Sequence, residues 1–211
     1  MADWDYGGAH KKYDMEGVIH LPAESRVQVC DWLIEMPEFM KEADTLFIDC
    51  PWNIGNVNTF YTKADKEYPQ VGFAVFTAKL FLRIGEIDPE FLFIEIGKEY
   101  LAEYLLECKS RFKYVTFYNS TYYKKAENKC YIIHATNTHK HRRYKELEDI
   151  DEEKVISWLC KNHDFNCIGD LCMGTGLVGK YAYMYGKKFV GTELNKKRLA
   201  LLVDFIKGKK L

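Results

Sequence analysis

At 211 residues and a net charge of −1, the chain is long enough for one substantial core and too short for two ordinary domains. A hydrophobic fraction of 47% with a charged fraction of 29% is that of a folded globular protein and excludes disordered and fibrous classes. The near-neutral balance excludes chain-wide attraction to polyanions, so any nucleic-acid contact must rest on local patches. With a polar, acidic start and no window near about 18 apolar residues, a cytoplasmic protein without a membrane span is expected.

In chain order, residues 1–20 read as an irregular lead-in with a short strand at Val18–Leu21, followed by a strand over Arg26–Cys30 that ends at Asp31. A helix or turn around Trp32–Lys41 leads into Leu46–Ile48, a short apolar run suited to a buried parallel strand. Asp49, Cys50, Pro51 and Trp52 follow at its C-terminal end, where open α/β sheets present side chains to ligands. Residues 53–70 have the composition of a loop beside that site. Val71–Ile84 has helical spacing, Phe91–Ile96 is an apolar strand, and Lys98–Cys108 is a helix. Tyr114–Tyr118 and Cys130–His134 read as a hairpin, separated by a polar stretch with Lys124, Lys125 and Lys129. A polar segment carrying His139, Lys140, His141, Arg142 and Arg143 precedes a strong alternation: helix Glu152–Lys161, strand Asn166–Leu171, helix Leu177–Tyr185, strand Lys188–Glu193 and helix Lys196–Lys207. Alternating strands and helices predict an α/β fold with a mostly parallel sheet and one antiparallel hairpin.

The seven cysteines form no CxxC pair and read as buried free thiols. No Cys/His group has ligand spacing, so no metal is expected.

Two strand ends carry chemistry. Asp49 and the Cys50 carbonyl can each accept a hydrogen bond from a planar amine, localising its lone pair and aiming it at an electrophile. Trp52 offers a face for the ring, a contact worth about 1–3 kcal/mol for a base. The alternative is structural, with Asp49 capping a following helix and Trp52 in the core. The second strand end is Asp170-Leu171-Cys172-Met173-Gly174-Thr175-Gly176, a glycine turn opening a helix, where backbone N–H groups can approach a polar ligand. Gly174, Gly176 and Gly179 fit the dinucleotide spacing, and the next strand ends in Glu193, where an acid can grip ribose hydroxyls. A nicotinamide-dependent oxidoreductase is thus a rival reading. It fails on position, since only one strand and one helix follow the glycine turn.

Together these segments resemble the DNA amino-methyltransferases that use S-adenosylmethionine. That family's catalytic motif, Asp/Asn/Ser-Pro-Pro-Tyr/Trp/Phe, is similar to Asp49-Cys50-Pro51-Trp52. Its cofactor loop, Asp-x-Phe-x-Gly-x-Gly, is similar to the run from Asp170 to Gly176, and Gly191-Thr192-Glu193-Leu194-Asn195 resembles its ribose-binding segment. The catalytic motif precedes the cofactor loop, as in the family's beta class, where an Asp shortly upstream contacts the adenine end of the cofactor; Asp31 falls there. Cys50 replaces the first proline of one motif and Cys172 the phenylalanine of the other.

The resemblance implies a Rossmann-like S-adenosylmethionine methyltransferase fold with circularly permuted motif order, in a single domain over residues 1–211 with no separate target-recognition domain. It implies cofactor contacts from Asp31, Asp170, Cys172, Met173, Gly174, Thr175, Gly176, Glu193 and Asn195. It also implies methyl transfer at Asp49, Cys50, Pro51 and Trp52 to the exocyclic amine of a flipped-out base. Adenine N6 in DNA is the expected target, with cytosine N4 or RNA as alternatives and a catalytically inactive binding subunit as the rival. Lys124, Lys125, Lys140, Arg142 and Arg143 are the candidate phosphate contacts. Specificity is expected from the 53–70 loop, a second subunit such as a homodimer partner, or a separate specificity subunit.

Overall fold

In the computed structural model the described residues are 6–122, 125, 127–138 and 143–208. An eight-stranded sheet runs in the order β1 (Val18–Leu21), β2 (Ser25–Val29), β8 (Lys188–Glu193), β7 (Cys167–Asp170), β3 (Thr45–Asp49), β4 (Phe91–Ile96), β6 (Lys129–Thr136), β5 (Tyr114–Thr121). The five strands β2, β8, β7, β3 and β4 are parallel. The expected β5/β6 hairpin closes one edge, and a second antiparallel pair, β1 with β2, closes the other.

Helices cover both faces, as the unbroken apolar runs of the central strands require. Helices α1 (Ile54–Lys63), α2 (Phe73–Ile87) and α3 (Leu101–Arg111) pack on one face with Leu46, Ile48, Leu92 and Ile94. On the other face α4 (Glu152–Asn162), α5 (Leu177–Met184) and α6 (Lys196–Gly208) pack with Phe47, Phe93 and Ile168. Alternation along β3 and β4 therefore turns Asp49 and Glu95, each one step past these residues, toward the α4 face. Asp44 fixes the register of the two site-bearing strands: its carboxylate accepts from the backbone N–H groups of Asn166 at 2.8 Å and Cys167 at 3.3 Å.

Two expectations are corrected. Most of the segment expected as a loop, residues 53–70, is helical: α1 spans Ile54–Lys63 and buries Val57 and Tyr61 against the core. Asn56, Thr59 and Thr62 are exposed, and Asn53 supplies the start signal by accepting from the Asn56 N–H at 2.9 Å. The cysteines are also not all free. Cys50 and Cys172 are disulfide-bonded, with Cα atoms 5.4 Å apart, and the other five are buried thiols. Among the described residues, no helix is long and apolar enough to cross a membrane.

Candidate active site

The turn after β3 and the glycine loop after β7 open into one cavity of about 810 Å³ at the C-terminal ends of the parallel strands. Asp31, Asp49, Cys50, Pro51, Trp52, Asp170, Cys172, Met173, Gly174, Thr175 and Glu193 all line it. Gly176 and Asn195 lie one layer behind. At Gly176 the backbone φ is +80°, and a Cβ there would come within 2.6 Å of Leu202 Cβ, so only glycine lets the loop turn onto α6. Asn195 ties the turn after β8 to α1 by donating from Nδ2 to the Lys63 carbonyl at 2.8 Å.

Each acid has a distinct setting. Asp31 accepts from the Tyr61 hydroxyl at 2.7 Å and from the Leu33 N–H at 3.1 Å. Asp170 is buried and accepts from the Cys172 N–H at 2.8 Å; burial still holds its carboxyl well above the usual range. Glu193 accepts from the N–H groups of Gly174 at 2.6 Å and Asn195 at 3.0 Å, so it braces the glycine loop from the adjacent strand. Burial raises its carboxyl, against the opposing pull of the Arg198 guanidinium.

Asp49 does not cap the following helix, because Asn53 does. Withdrawal from water pushes the Asp49 carboxyl up to about 6, while a hydrogen bond from the Trp52 side chain and the charge of Arg198 pull it down. Trp52 is half-buried. Its ring tilts against Tyr122 with centroids 4.8 Å apart, and it lies so close over Gly97 that a Cβ there would meet Trp52 Cε3 at 2.7 Å. The indole is thus fixed by both its edge and its packing.

Of the nucleic-acid candidates, Lys124, Lys140 and Arg142 lie outside the described residues. Lys125 and Arg143 are exposed and do not line the cavity, and Arg143 is ion-paired with Glu148.

Four site residues escaped the sequence reading. Glu95, Glu152 and Arg198 surround Asp49 electrostatically, and Tyr122 from the end of the hairpin reaches the cavity wall. Glu95 left a usable signal, since it is the lone charge in an otherwise apolar buried strand. Glu152 looks like any acid in a first helical turn, and Arg198 like any exposed helical cation.

Among the described residues the cavity wall carries seven acidic side chains, Asp31, Asp49, Asp151, Glu152, Glu153, Asp170 and Glu193, against two basic ones, Lys63 and Arg198. Such a lining suits a ligand bearing positive charge. The chain can hold that ligand against the glycine loop and aim a hydrogen-bond acceptor at a second molecule entering over Trp52.

No protein-family model matches the sequence, and neither does any curated protein. Solved structures do. TTHA0409 of Thermus thermophilus, provisionally named a DNA modification methylase, superposes with a TM-score of 0.60 at 14% identity, over 90% of this chain and 95% of that one. M1.HpyAVI gives 0.54 at 11% identity, over 86% and 98%. The PvuII DNA methyltransferase, described as cytosine-N4-specific, gives 0.54 at 10% identity, over 92% and 98%. At these identities the likeness establishes a shared fold, and it extends over nearly the whole of each chain.

Proposed function

We propose that the protein is an S-adenosylmethionine-dependent methyltransferase acting on the exocyclic amine of a base in DNA. The observation that carries this reading is the meeting of the Asp49 turn and the Gly174 loop in one acid-lined cavity. Two relatives in fold, TTHA0409 and M1.HpyAVI, have been solved as complexes with S-adenosylmethionine.

The fit to the cofactor is one of charge and shape. A sulfonium and an ammonium group match the excess of acidic side chains, and the glycine loop offers backbone close to the ligand. Asp170 and the Gly174 loop would hold the methionine portion, Glu193 the ribose and Asp31 the adenine end. When bound, S-adenosylmethionine supplies an electrophilic methyl group.

The chain's own residues do the rest. Asp49 and the Cys50 carbonyl accept the two amino hydrogens of the flipped base, which directs the nitrogen lone pair away from the ring. Trp52 holds Asp49 through its side-chain hydrogen bond and presents what remains of its ring to the base. As the nitrogen gains its methyl group it loses one proton, and Asp49 is the acceptor. With its carboxyl raised to about 6, Asp49 is ionised at neutral pH and still basic enough to take that proton. Lys125 and Arg143 are proposed as phosphate contacts outside the cavity.

Adenine N6 is the first target, because the motif opens with Asp. Cytosine N4 is the second reading, favoured by the shared fold of the cytosine-N4-specific PvuII enzyme. The test is transfer of a tritiated methyl group to DNA and to RNA by wild type and Asp49→Ala, with the product digested to nucleosides. Label in N6-methyladenine, lost in the variant, is the expected result. Label in N4-methylcytosine selects the second reading. Cofactor binding without transfer to either nucleic acid selects a non-catalytic binding subunit.

A further inference from the structure

Beneath the proposed acceptor lies a cluster of acids for which the reaction so far gives no role. Asp49 and Glu95 are direct neighbours at the C-terminal ends of β3 and β4. Because those strands are parallel and in register, both side chains point to the α4 face. Glu152, the first residue of α4, brings its carboxyl to the same point, and one oxygen from each of the three lies within 4.8 Å of the other two. Glu95 is fully buried, and among the described residues its carboxyl meets no nitrogen or oxygen donor, only the weak thiol donor of Cys130. A carboxylate in that state does not survive ionised; it holds a proton or it meets a ligand.

The surroundings favour the proton. From β7 comes Asp170, from the start of α4 its capping residue Asp151 and Glu153, and from β6 the thiol of Cys130; among the described residues the cation that acts on Asp49, Asp170 and Glu193 is Arg198 on α6. Three negative charges within the cluster would repel one another with little to offset them. Burial and the charges of Asp49 and Asp170 push the Glu152 carboxyl up to about 9, and burial with the charges of Asp49 and Glu152 holds Glu95 well above its usual range. Crowding and burial therefore favour protons on Glu95 and Glu152 and leave Asp49 the most readily ionised of the three.

We propose that Glu152, seated over Glu95, is a positioning residue for Asp49: the proton it carries ties Glu152 to one Asp49 oxygen and leaves the other oxygen facing the target amine. This role rests on the methyltransferase reading above and extends it. A neutral donor beside a carboxylate fixes its orientation, whereas an anion in the same place would push it aside. Glu95 serves as the neutral floor that keeps the pair from spreading into the sheet. No proton is consumed by the arrangement. The one lost by the amine goes to Asp49 and leaves to solvent after product departs, while Glu152 keeps its own.

The test is the pH dependence of methyl transfer to DNA by wild type, Glu152→Gln and Glu152→Ala, with the KM for S-adenosylmethionine measured alongside. All three lose activity on the acid side as Asp49 takes up a proton. Wild type also loses activity on the alkaline side as Glu152 ionises. Glutamine donates a hydrogen bond and cannot ionise, so Glu152→Gln lacks the alkaline fall and recovers activity that Glu152→Ala loses. The alanine variant drops in kcat by about tenfold, the loss expected for one positioning hydrogen bond, with KM for the cofactor unchanged. If Glu152→Ala does not fold, the profile of Glu152→Gln decides alone.

An alkaline fall that persists in Glu152→Gln overturns the proposal. So does a raised KM for S-adenosylmethionine with kcat intact, which would make Glu152 a cofactor contact. Loss of wild-type activity in EDTA, restored by a divalent cation, overturns it as well, because the three carboxylates would then be holding a metal. Each of those results leaves the methyltransferase reading standing. Absence of any transfer by wild type removes that reading and this role together.

Discussion

Cys50 and Cys172 are bonded to each other, joining the turn after β3 to the loop after β7 across 122 positions of sequence. They are also the two positions at which this chain departs from the motifs it resembles, one a proline and the other a phenylalanine in the pattern. The departures are thus a single change made at two places that touch. Where a proline would have stiffened the acceptor turn, a covalent bond to the glycine loop holds it instead, and the Cα separation of 5.4 Å lies in the ordinary range for such a bond.

The bond predicts a thiol count. Denatured without reductant, the protein should titrate as five thiols, and after reduction as seven. Seven thiols before reduction would mean that the two sulfurs only pack together. Methyl transfer should weaken on reduction, and Cys50→Pro should make it insensitive to reductant.

Stability should depend on pH in a direction set by the buried acids. Asp49, Glu95, Glu152, Asp170 and Glu193 all have raised carboxyls, led in each case by burial. The folded protein therefore binds these protons more tightly than the unfolded chain. The stability they contribute is complete below the ordinary carboxylate range and is lost as pH rises through the folded values, about 6 for Asp49 and about 9 for Glu152. Glu42, Glu148 and Asp204, whose carboxyls are lowered, act in the opposite sense at acid pH, and the lowered His163 acts below about pH 7. Between about pH 7 and 9 the Tm of the ligand-free protein should fall, and Glu152→Gln should flatten that fall. A Tm that climbs across this window would contradict the assignment of protonated acids.

Gly176→Ala forces a side chain into the left-handed region at φ +80° and drives its Cβ to 2.6 Å from Leu202 Cβ. The loss should be about 2–4 kcal/mol in urea unfolding, with cofactor binding reduced as the loop shifts. A neutral outcome would mean that the loop and α6 part easily.

Tyr61→Phe removes a 2.7 Å hydrogen bond to the Asp31 carboxylate. Because the hydroxyl comes from α1 and the acid from the turn after β2, the bond fastens that helix over the cavity. A loss of about 1.5–3 kcal/mol is expected, the range for a bond to a charged group, together with weaker cofactor binding by calorimetry. Unchanged stability and binding would remove Asp31 from the site.

The parallel strands were legible in the sequence because their signals are local. Leu46–Ile48 and Phe91–Ile96 are apolar runs that only a sheet covered on both faces accommodates, and Asp49 ends β3 as Asp170 ends β7. Helix α1 was not legible, because one apolar stripe of Val57 and Tyr61 is diluted by asparagines and threonines that favour turns in isolation; packing on the sheet overrides that preference. The disulfide and the acid cluster join residues far apart in the chain. Cys50 with Cys172, and Asp49 with Glu95 and Glu152, become neighbours only once the strand order is known.

The most direct measurement is a crystal structure of the protein with S-adenosylhomocysteine. The adenine end should lie near Asp31, the ribose at Glu193, and the sulfur should face Asp49 with room for a base beside Trp52. Ligand bound outside this cavity, or with its sulfur turned away from Asp49, would contradict it.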